Sequence, residues 1–330
     1  MGKKRILIFG VNGFIGSNLL ENILENGDYF VDGIDLLDNN INRFKNNYQF
    51  NFIKANIFDL YKEMESSISS CDIIIPLIAN PKPYNYIKDP IGIFDLTFRI
   101  NERILFFSAK YKKRLIFPSS SEVYGFCHDE FFSEDTSNLT YGPIKNARWI
   151  YACSKQLLER LILGYSQMGL RFCIFRPFNW IGPNQDNNTK DNERKRLIPA
   201  FIDNLKMGLP LAFVEGGGQR RCFTDITDAT ECLMKIINTP DKADGNIFNI
   251  GNPDNEYTIK EVGTLMIKIF NQRNQYLIKP VNVSGEEYYG LGYQDVPFRK
   301  PSIQKAKNIL YWEPKITMRE TITRIINYPN

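Results

Sequence analysis

A glycine-rich turn between an apolar run and an amphipathic segment constrains the fold of this chain more than any other feature. Residues 5–9 (RILIF) form a short apolar run of the kind that builds a buried parallel strand. The run leads directly into Gly10, Gly13 and Gly16, and the pattern predicts an amphipathic helix from residue 17 onward. Glycines let the backbone turn tightly and approach a pyrophosphate, whose charge is stabilised at a helix N-terminus. The sequence therefore predicts a dinucleotide-binding turn, although its spacing is G-x-x-G-x-x-G rather than G-x-G-x-x-G.

The second predicted strand, residues 30–34, ends at an acid that indicates which dinucleotide is bound. Asp35 lies close to the offset of about 20 residues at which an acid binds a ribose hydroxyl. Because a carboxylate repels a 2′-phosphate, we expect NAD rather than NADP. The alternative is a glycine-rich turn without a ligand, but the strand before it and the helix after it favour the cofactor.

Strand-like and helical segments continue to alternate along the chain. Further strands are predicted at residues 50–53, 72–79, 114–117 and 170–175, with a long amphipathic helix at residues 93–111. This alternation predicts a Rossmann-type α/β fold, a doubly wound parallel sheet whose ligand lies beyond the carboxyl ends of the strands. We expect an NAD-binding domain at residues 1–176 and a smaller C-terminal substrate-binding lobe at residues 177–330. The segment 223–250 is expected to return to the sheet through a strand at 246–250, and residues 186–196 form a polar loop.

The segment around Tyr151 and Lys155 carries the predicted chemistry. The two residues are four apart in a helical pattern, so their side chains share one face of the helix. An ammonium beside a phenol stabilises the phenolate and lowers its pKa, which makes Tyr151 a candidate general base. An exposed lysine after a packed tyrosine is the alternative for an isolated motif. The turn at residues 119–122, which follows the fifth strand, is expected to face the same crevice.

Composition excludes several classes of protein. The net charge of +4 is small, and no basic patch interleaved with aromatic residues indicates nucleic acid. Six cysteines are scattered without C-x-x-C pairs, which favours reduced thiols and no structural metal. Apolar runs are too short to span a membrane, so we expect a cytoplasmic enzyme. His128 lies in a polar loop and is expected to be a surface residue.

Four spaced motifs together resemble a known family. They are Gly10-x-x-Gly13-x-x-Gly16, residues 119–125 (SSSEVYG), Tyr151-x-x-x-Lys155 and residues 176–180 (RPFNW). The chain thereby resembles the extended short-chain dehydrogenase/reductases that act on nucleotide sugars. Further segments, including residues 221–226 (RCFTDI) and 299–303 (RKPSI), are similar to the bacterial UDP-glucuronic acid decarboxylases of the polymyxin-resistance type. The similarity covers nearly all of the chain.

The resemblance implies a reaction on a UDP-hexuronic acid, most readily UDP-glucuronate. NAD oxidises the sugar at C4 with Tyr151 as base and Lys155 as its partner, and a serine of the pair Ser120 and Ser121 hydrogen-bonds the reacting oxygen. The resulting β-keto acid loses carbon dioxide and gives a UDP-4-keto-pentose, or UDP-xylose if the ketone is reduced again. Glu122 and Arg299 match the pair assigned to acid/base work in decarboxylation.

The resemblance also implies binding residues and an assembly. The expected cofactor contacts are Gly10, Gly13, Phe14, Ile15, Gly16, Asp35, Asn56, Ile57, Leu77, Ala79, Ser119, Tyr151 and Lys155. The expected contacts to the UDP-sugar are Pro81, Tyr86, Arg148, Asn179, Arg221 and Tyr293. Related enzymes form homodimers through the helices predicted at residues 93–111 and 149–165. Such reactions serve the biosynthesis of lipopolysaccharide or other cell-surface polysaccharides.

Departures from the family patterns separate neighbouring activities. Ser121 stands where 4,6-dehydratases have an aspartate that protonates the leaving hydroxyl, which disfavours dehydration. UDP-apiose synthases have cysteines at the positions of Pro81 and Ser121, so apiose formation is a remote alternative. Asn56 replaces an aspartate near the adenine, Pro81 and Lys82 replace an Ala-Thr pair beside the sugar, and Ala212 replaces a lysine near the nucleotide. These changes leave the exact sugar open but not the reaction class. A 4-epimerase and a non-catalytic dinucleotide-binding sensor remain as alternatives.

Overall fold

The computed structural model of the protein describes residues 2–186, 195–272 and 278–328. Most of the stretch expected to form a polar loop, 186–196, lies outside these residues. The main element of the structure is a sheet of seven parallel strands. Its strands are β1 (Lys4–Phe9), β2 (Tyr29–Asp35), β3 (Phe50–Lys54), β4 (Ile73–Pro76), β5 (Arg114–Pro118), β6 (Phe172–Pro177) and β11 (Ile247–Ile250). They lie side by side in the order β11-β6-β5-β4-β1-β2-β3. The predicted doubly wound α/β fold is confirmed.

Twelve α-helices accompany this sheet and the second lobe within the described residues. They are α1 (Phe14–Asn26), α2 (Tyr61–Ser70), α3 (Pro83–Lys88), α4 (Pro90–Phe94), α5 (Ile100–Lys110), α6 (Trp149–Ser166), α7 (Leu197–Met207), α8 (Ile226–Asn238), α9 (Pro240–Ala243), α10 (Ile259–Asn271), α11 (Gly285–Tyr289) and α12 (Met318–Asn327). The helix predicted at residues 93–111 is divided: a π-helical turn, Asp95–Arg99, joins α4 to α5. A 3-10 turn, Ser121–Tyr124, follows β5.

Both faces of the sheet are buried, as the alternation along β1 shows. Ile6 and Ile8 belong to the hydrophobic core that includes residues of α1 and α8. Leu7 and Phe9 point to the opposite face, into the core that includes residues of α2, α5 and α6. Side chains alternate between the two faces of a strand, so a strand covered on both sides is apolar at every position. This explains why the strands read as continuous apolar runs in the sequence.

The chain after β6 builds a second lobe and then returns to the sheet. The core of this lobe is formed mainly by α7, α10 and α12. Its short strands are β7 (Trp180–Ile181), β8 (Ala212–Val214), β9 (Arg220–Cys222), β10 (Thr224–Asp225), β12 (Glu256–Thr258), β13 (Val281–Val283) and β14 (Phe298–Arg299). Between them, β11 pairs in parallel with β6. The strand expected at residues 246–250 therefore lies in the main sheet, while the domain division at residue 176 stays a prediction.

Candidate active site

A cavity of about 730 Å³ lies between the carboxyl ends of the central strands and the second lobe. A volume of this size accommodates a small ligand or cofactor. All predicted catalytic and substrate-binding residues line it: Ser120, Ser121, Glu122, Tyr151, Lys155, Arg299, Pro81, Tyr86, Arg148, Asn179, Arg221 and Tyr293. Ten of the predicted cofactor residues also line it: Gly10, Gly13, Phe14, Ile15, Gly16, Leu77, Ala79, Ser119, Tyr151 and Lys155.

Three predicted cofactor residues lie outside the cavity lining. Asp35 is the last residue of β2. Its carboxylate accepts hydrogen bonds from the backbone N–H groups of Asn12 (2.9 Å) and Leu37 (3.2 Å). Asn56 caps a 3-10 turn, where its side chain accepts a hydrogen bond from the Phe58 amide, and Ile57 begins that turn. Asp35 thus adjoins the glycine turn, and the contacts of all three with the cofactor stay predictions.

The geometry of the glycine turn fits a dinucleotide. A Cβ at Gly16 would lie 2.3 Å from the Gly10 carbonyl oxygen, and a Cβ at Gly10 would lie 2.6 Å from the Leu77 carbonyl oxygen, so the backbone packs too closely for side chains. Helix α1 begins at this turn without a side-chain cap or an acidic residue in its first turn. Its first amide groups and its dipole therefore favour an anion such as a pyrophosphate. The buried Ser119 hydroxyl has no partner among the described residues and also lines the cavity.

Tyr151 and Lys155 lie on one face of α6, as predicted, but their electrostatics differ from the prediction. Burial raises the pKa of Tyr151, and the charge of Glu122 raises it further, while a hydrogen bond with Ser120 lowers it. Burial also lowers the pKa of Lys155 to about 7, and its ammonium donates a hydrogen bond to the Pro118 carbonyl oxygen at 2.6 Å. The prediction that Lys155 brings the pKa of Tyr151 toward neutrality is therefore wrong for this structure, because desolvation dominates both groups.

Glu122 is the centre of a buried charge cluster at the start of the 3-10 turn. One carboxylate oxygen accepts from Arg148 Nη2 at 2.6 Å, and the other accepts from Arg299 Nη2 at 2.7 Å. Burial opposes the charge of the carboxylate, but the guanidinium groups outweigh it and lower the pKa of Glu122 to about 2. Both arginines keep a buried Nε–H group without a hydrogen-bond partner among the described residues. Such donors favour an additional acceptor in the cavity.

The two arginines that contact Glu122 differ in the direction of their pKa shifts. Burial lowers the pKa of Arg299, which makes its guanidinium a better proton donor, although the charge of Glu122 acts in the opposite direction. The opposite holds for Arg148, whose pKa lies above its ordinary value because the charge of Glu122 outweighs burial. The two guanidinium groups are therefore not equivalent, although both contact the same carboxylate. Arg148 is also held by the Gln294 carbonyl oxygen at 2.7 Å.

The second lobe contributes its own charged and aromatic groups. Arg221 on β9 forms an ion pair with Asp295 at 2.7 Å. Tyr293 stacks on Tyr289 with ring centroids 4.0 Å apart. Asn179 adopts a left-handed backbone conformation (φ +41°), which asparagine tolerates better than most residues, and its side chain donates to the Cys222 carbonyl oxygen.

The lining residues that sequence reasoning missed include Tyr289 and Asp295. Both line the cavity together with Tyr293. The close spacing of tyrosines at positions 288, 289 and 293 was a usable signal, since aromatic side chains with polar tips are common at binding sites. The pairing of Asp295 with Arg221 joins segments far apart in sequence and has no local signal.

The described residues show neither a membrane-spanning helix nor a cluster of metal ligands. Among the described residues, no helix combines the length and the apolar character that crossing a membrane requires. The described residues also contain no cluster of three or more His, Cys, Asp or Glu side chains able to hold a metal ion.

The fold and the glycine turn define a dinucleotide-dependent enzyme of the Rossmann class, and comparison with known proteins identifies the family. Residues 6–251 match the NAD dependent epimerase/dehydratase family. The chain belongs to this family, so the resemblance found in the sequence and the assignment of NAD as cofactor are confirmed.

Individual relatives are similar over almost the whole chain. The chain is 47% identical over 333 residues to the bifunctional polymyxin resistance protein ArnA of Wigglesworthia glossinidia brevipalpis, and the match covers 98% of this chain and 51% of that protein. The chain thus spans about half the length of this curated relative. The crystal structure of the PbgP3 protein from Burkholderia pseudomallei is 38% identical, with a TM-score of 0.89 over 98% of this chain and 95% of that one. The UDP-glucuronic acid 4-epimerase from Bacillus cereus, in complex with UDP-glucuronic acid and NAD, shares the fold at 23% identity (TM-score 0.82, 98% of each chain).

Proposed function

We propose that this protein is an NAD-dependent decarboxylase of a UDP-hexuronic acid, with UDP-glucuronate as its substrate. Its product is a UDP-4-keto-pentose, or UDP-xylose if the ketone is reduced again. Support comes from the similarity to the polymyxin resistance protein and from the chemistry of the cavity. The observation that carries the proposal is the cluster of Glu122, Arg148 and Arg299 beside Tyr151, because it offers cationic donors to a substrate carboxylate.

The first step proposed is oxidation of the alcohol at C4. Bound NAD supplies the electron acceptor for this step. The residues proposed to hold it are those of the glycine turn, together with Leu77, Ala79 and Ser119. Tyr151 takes the proton of the C4 hydroxyl, and Ser120, its hydrogen-bond partner, orients the same oxygen. Lys155, whose ammonium is held by the Pro118 carbonyl oxygen, is proposed as the cationic partner of this step.

The second step proposed is loss of carbon dioxide from the β-keto acid. The bond between C5 and the carboxyl carbon breaks, and its electron pair moves onto the C4 ketone as an enolate. Tyr151 and Ser120 donate hydrogen bonds to this oxyanion. A proton then returns to C5. The two arginines lower the pKa of Glu122 and favour its ionised form, which argues against Glu122 as that proton donor. Arg299, whose pKa burial lowers, is the better candidate for the donor, with Glu122 as its counterion.

Substrate recognition is proposed to divide between the two lobes. Arg221 presents a guanidinium fork suited to a diphosphate, and Asp295 holds it in place. Arg148, Asn179, Tyr86, Pro81 and Tyr293 complete the proposed contacts with the UDP-sugar. Ser121, which accepts a hydrogen bond from Arg299 at 3.4 Å, cannot protonate a leaving hydroxyl as an aspartate does. This argues against a 4,6-dehydratase.

Product analysis tests the proposal directly. We would incubate the protein with NAD and a panel of UDP-sugars, follow absorbance at 340 nm, and identify products by mass spectrometry. We expect carbon dioxide and a pentose product from UDP-glucuronate, and no NADH from Tyr151→Phe. UDP-galacturonate without carbon dioxide would identify a 4-epimerase instead. No product from any UDP-sugar would favour a dinucleotide-binding sensor.

The assembly and location that we propose are a homodimer in the cytoplasm. Phe106 on α5 and Leu157 and Leu163 on α6 are large apolar side chains with 44–46% of their surface exposed. In this dimer, two such helices from each of two copies bury these side chains in a four-helix bundle. The six free cysteines fit a reducing compartment. Light scattering at micromolar concentration tests the dimer, and a monomer would contradict it.

A further inference from the structure

The ring of Tyr86 stacks face to face on the ring of Tyr151. The ring centroids are 4.9 Å apart and the ring planes differ by 5°. Both side chains are buried, with 1% and 4% of their surface exposed. This separation is within the range in which aromatic pairs attract beyond simple burial. Tyr86 comes from α3, and Tyr151 comes from α6, so the stack joins two separate helices at the cavity wall.

Tyr151 belongs to a buried cluster with Tyr86 and Ile93, in which Tyr86 supplies a flat aromatic face to the Tyr151 ring. Its hydroxyl is hydrogen-bonded with Ser120 at the tip of the side chain. Lys155, the other member of the motif, donates to the Pro118 carbonyl oxygen. The second side-chain torsion of a tyrosine is soft, because rotation about this bond has broad minima. A ring packed flat against one face is therefore an effective restraint on the orientation of the phenol.

Helix α3 also contacts the second lobe. Gly290 follows α11, and a Cβ at this position would lie 3.4 Å from a methyl group of Ile87, the residue after Tyr86. Tyr288 and Tyr289, at the end of α11, line the cavity. Helix α3 therefore lies between Tyr151 and the part of the second lobe that faces the ligand.

We propose that Tyr86 is a positioning residue whose ring holds the Tyr151 phenol in its reactive orientation. This role goes beyond the substrate contact proposed for Tyr86, and it rests on the proposed function of Tyr151 as the base. Small displacements of a reacting group lower rates by orders of magnitude, so loss of the stack acts on the rate of oxidation. Loss of a substrate contact made by the Tyr86 hydroxyl would instead act mainly on KM.

Two substitutions separate these roles. Tyr86→Phe keeps the ring and removes the hydroxyl, whereas Tyr86→Leu removes the ring. We expect Tyr86→Phe to raise KM, because it loses the proposed hydroxyl contact with the substrate, and to lower the rate of NADH formation in saturating single turnovers by no more than about threefold. We expect Tyr86→Leu to be slower by about tenfold or more, on the scale of a misplaced reacting group. Equal maximal rates for the two variants, with KM raised in both, would overturn the proposal.

A matched control is available in the pair Phe94 and Phe98, which stack at 5.1 Å and do not line the cavity. Phe94→Leu removes this stack and should leave the rate of NADH formation unchanged. Tyr86→Met, which fills more of the space without a ring, should be as slow as Tyr86→Leu. A fast Tyr86→Met enzyme would show that packing alone is sufficient and would refute the role of the ring.

A measurement without turnover keeps this proposal separate from the proposed function. Protein labelled with 3-fluorotyrosine gives a fluorine resonance for Tyr151, which is assigned by its loss in Tyr151→Phe. Tyr86→Leu should broaden this resonance or split it, because the phenol then samples more than one orientation, and Phe94→Leu should not; a change of chemical shift alone follows from the lost ring current and does not count. If wild-type protein forms no NADH but the resonance responds in this way, the reaction assignment fails while the positioning of the ring stands. A resonance in Tyr86→Leu that stays as sharp and single as in wild type would overturn the positioning role whatever the reaction is.

Discussion

Removing the charge of Glu122 should change the stability of the protein in a pH-dependent way. The arginines hold the pKa of this carboxyl at about 2, against an ordinary value of 4.5. A carboxyl whose pKa is lower in the folded state stabilises that state above its unfolded pKa, and the stabilisation is lost as the pH falls toward the folded pKa. The difference between the two pKa values corresponds to about 3 kcal/mol of stabilisation at neutral pH. Between pH 5 and pH 3, about 2 kcal/mol of this should disappear.

Urea unfolding at pH 5 and at pH 3 measures this effect in wild type and in Glu122→Gln. The variant should be less stable at pH 5, because Arg148 and Arg299 lose their counterion while remaining buried. The difference in unfolding free energy between the two proteins should shrink by about 2 kcal/mol from pH 5 to pH 3. Glu25→Gln, which changes an exposed carboxyl on α1, is the control and should show no such trend. A difference that is constant with pH, or that grows as the pH falls, would refute the reasoning.

Three further outcomes follow from the site. Lys155→Met should abolish NADH formation but raise the unfolding free energy at pH 7, because burial lowers the pKa of Lys155 to about 7 and so disfavours its charged form. The loss of the hydrogen bond to the Pro118 carbonyl oxygen offsets part of this gain in stability. A lower unfolding free energy for the variant in urea would contradict the prediction. Gly16→Ala should abolish NAD binding in calorimetry, because its Cβ would lie 2.3 Å from the Gly10 carbonyl oxygen, and retained affinity would show that the turn can relax. In calorimetry, wild-type protein should bind NADP much more weakly than NAD, and Asp35→Ala should reduce this difference in affinity. Equal affinities in the wild type would count against Asp35 as the carboxylate that binds the adenosine ribose.

The features of the site that could be predicted from the sequence are those that depend on residues close together in the chain. The turn at Gly10, Gly13 and Gly16 follows an apolar run and precedes a helix, so neighbouring residues determine its geometry. The spacing of Tyr151 and Lys155 fixed their common helix face in the same way. Family resemblance then added residues that have no local signal, such as Arg299, which the fold brings to Glu122 from the far end of the chain.

The ionisation of these groups could not be predicted from the same patterns. The pKa of Tyr151 depends first on how deeply the phenol is buried, and that burial is produced by α3 and other distant segments. The low pKa of Glu122 likewise requires arginines from α6's N-terminal end and from β14 to converge on one carboxylate. Desolvation and charge pairing depend on the assembled three-dimensional packing, which spacing along a chain does not encode.

The pairing of β11 with β6 has a consequence for how the protein is made. A ribosome releases the chain from its N-terminus, so the first six strands of the sheet emerge well before the seventh. Until residues 247–250 arrive, β6 is an edge strand whose unpaired backbone groups can pair with another nascent chain. The whole segment from β7 to α9 must be synthesised before this edge is covered. Nascent chains that stall within that segment should therefore be prone to aggregation and depend on chaperones, even though the cofactor-binding turn is already complete.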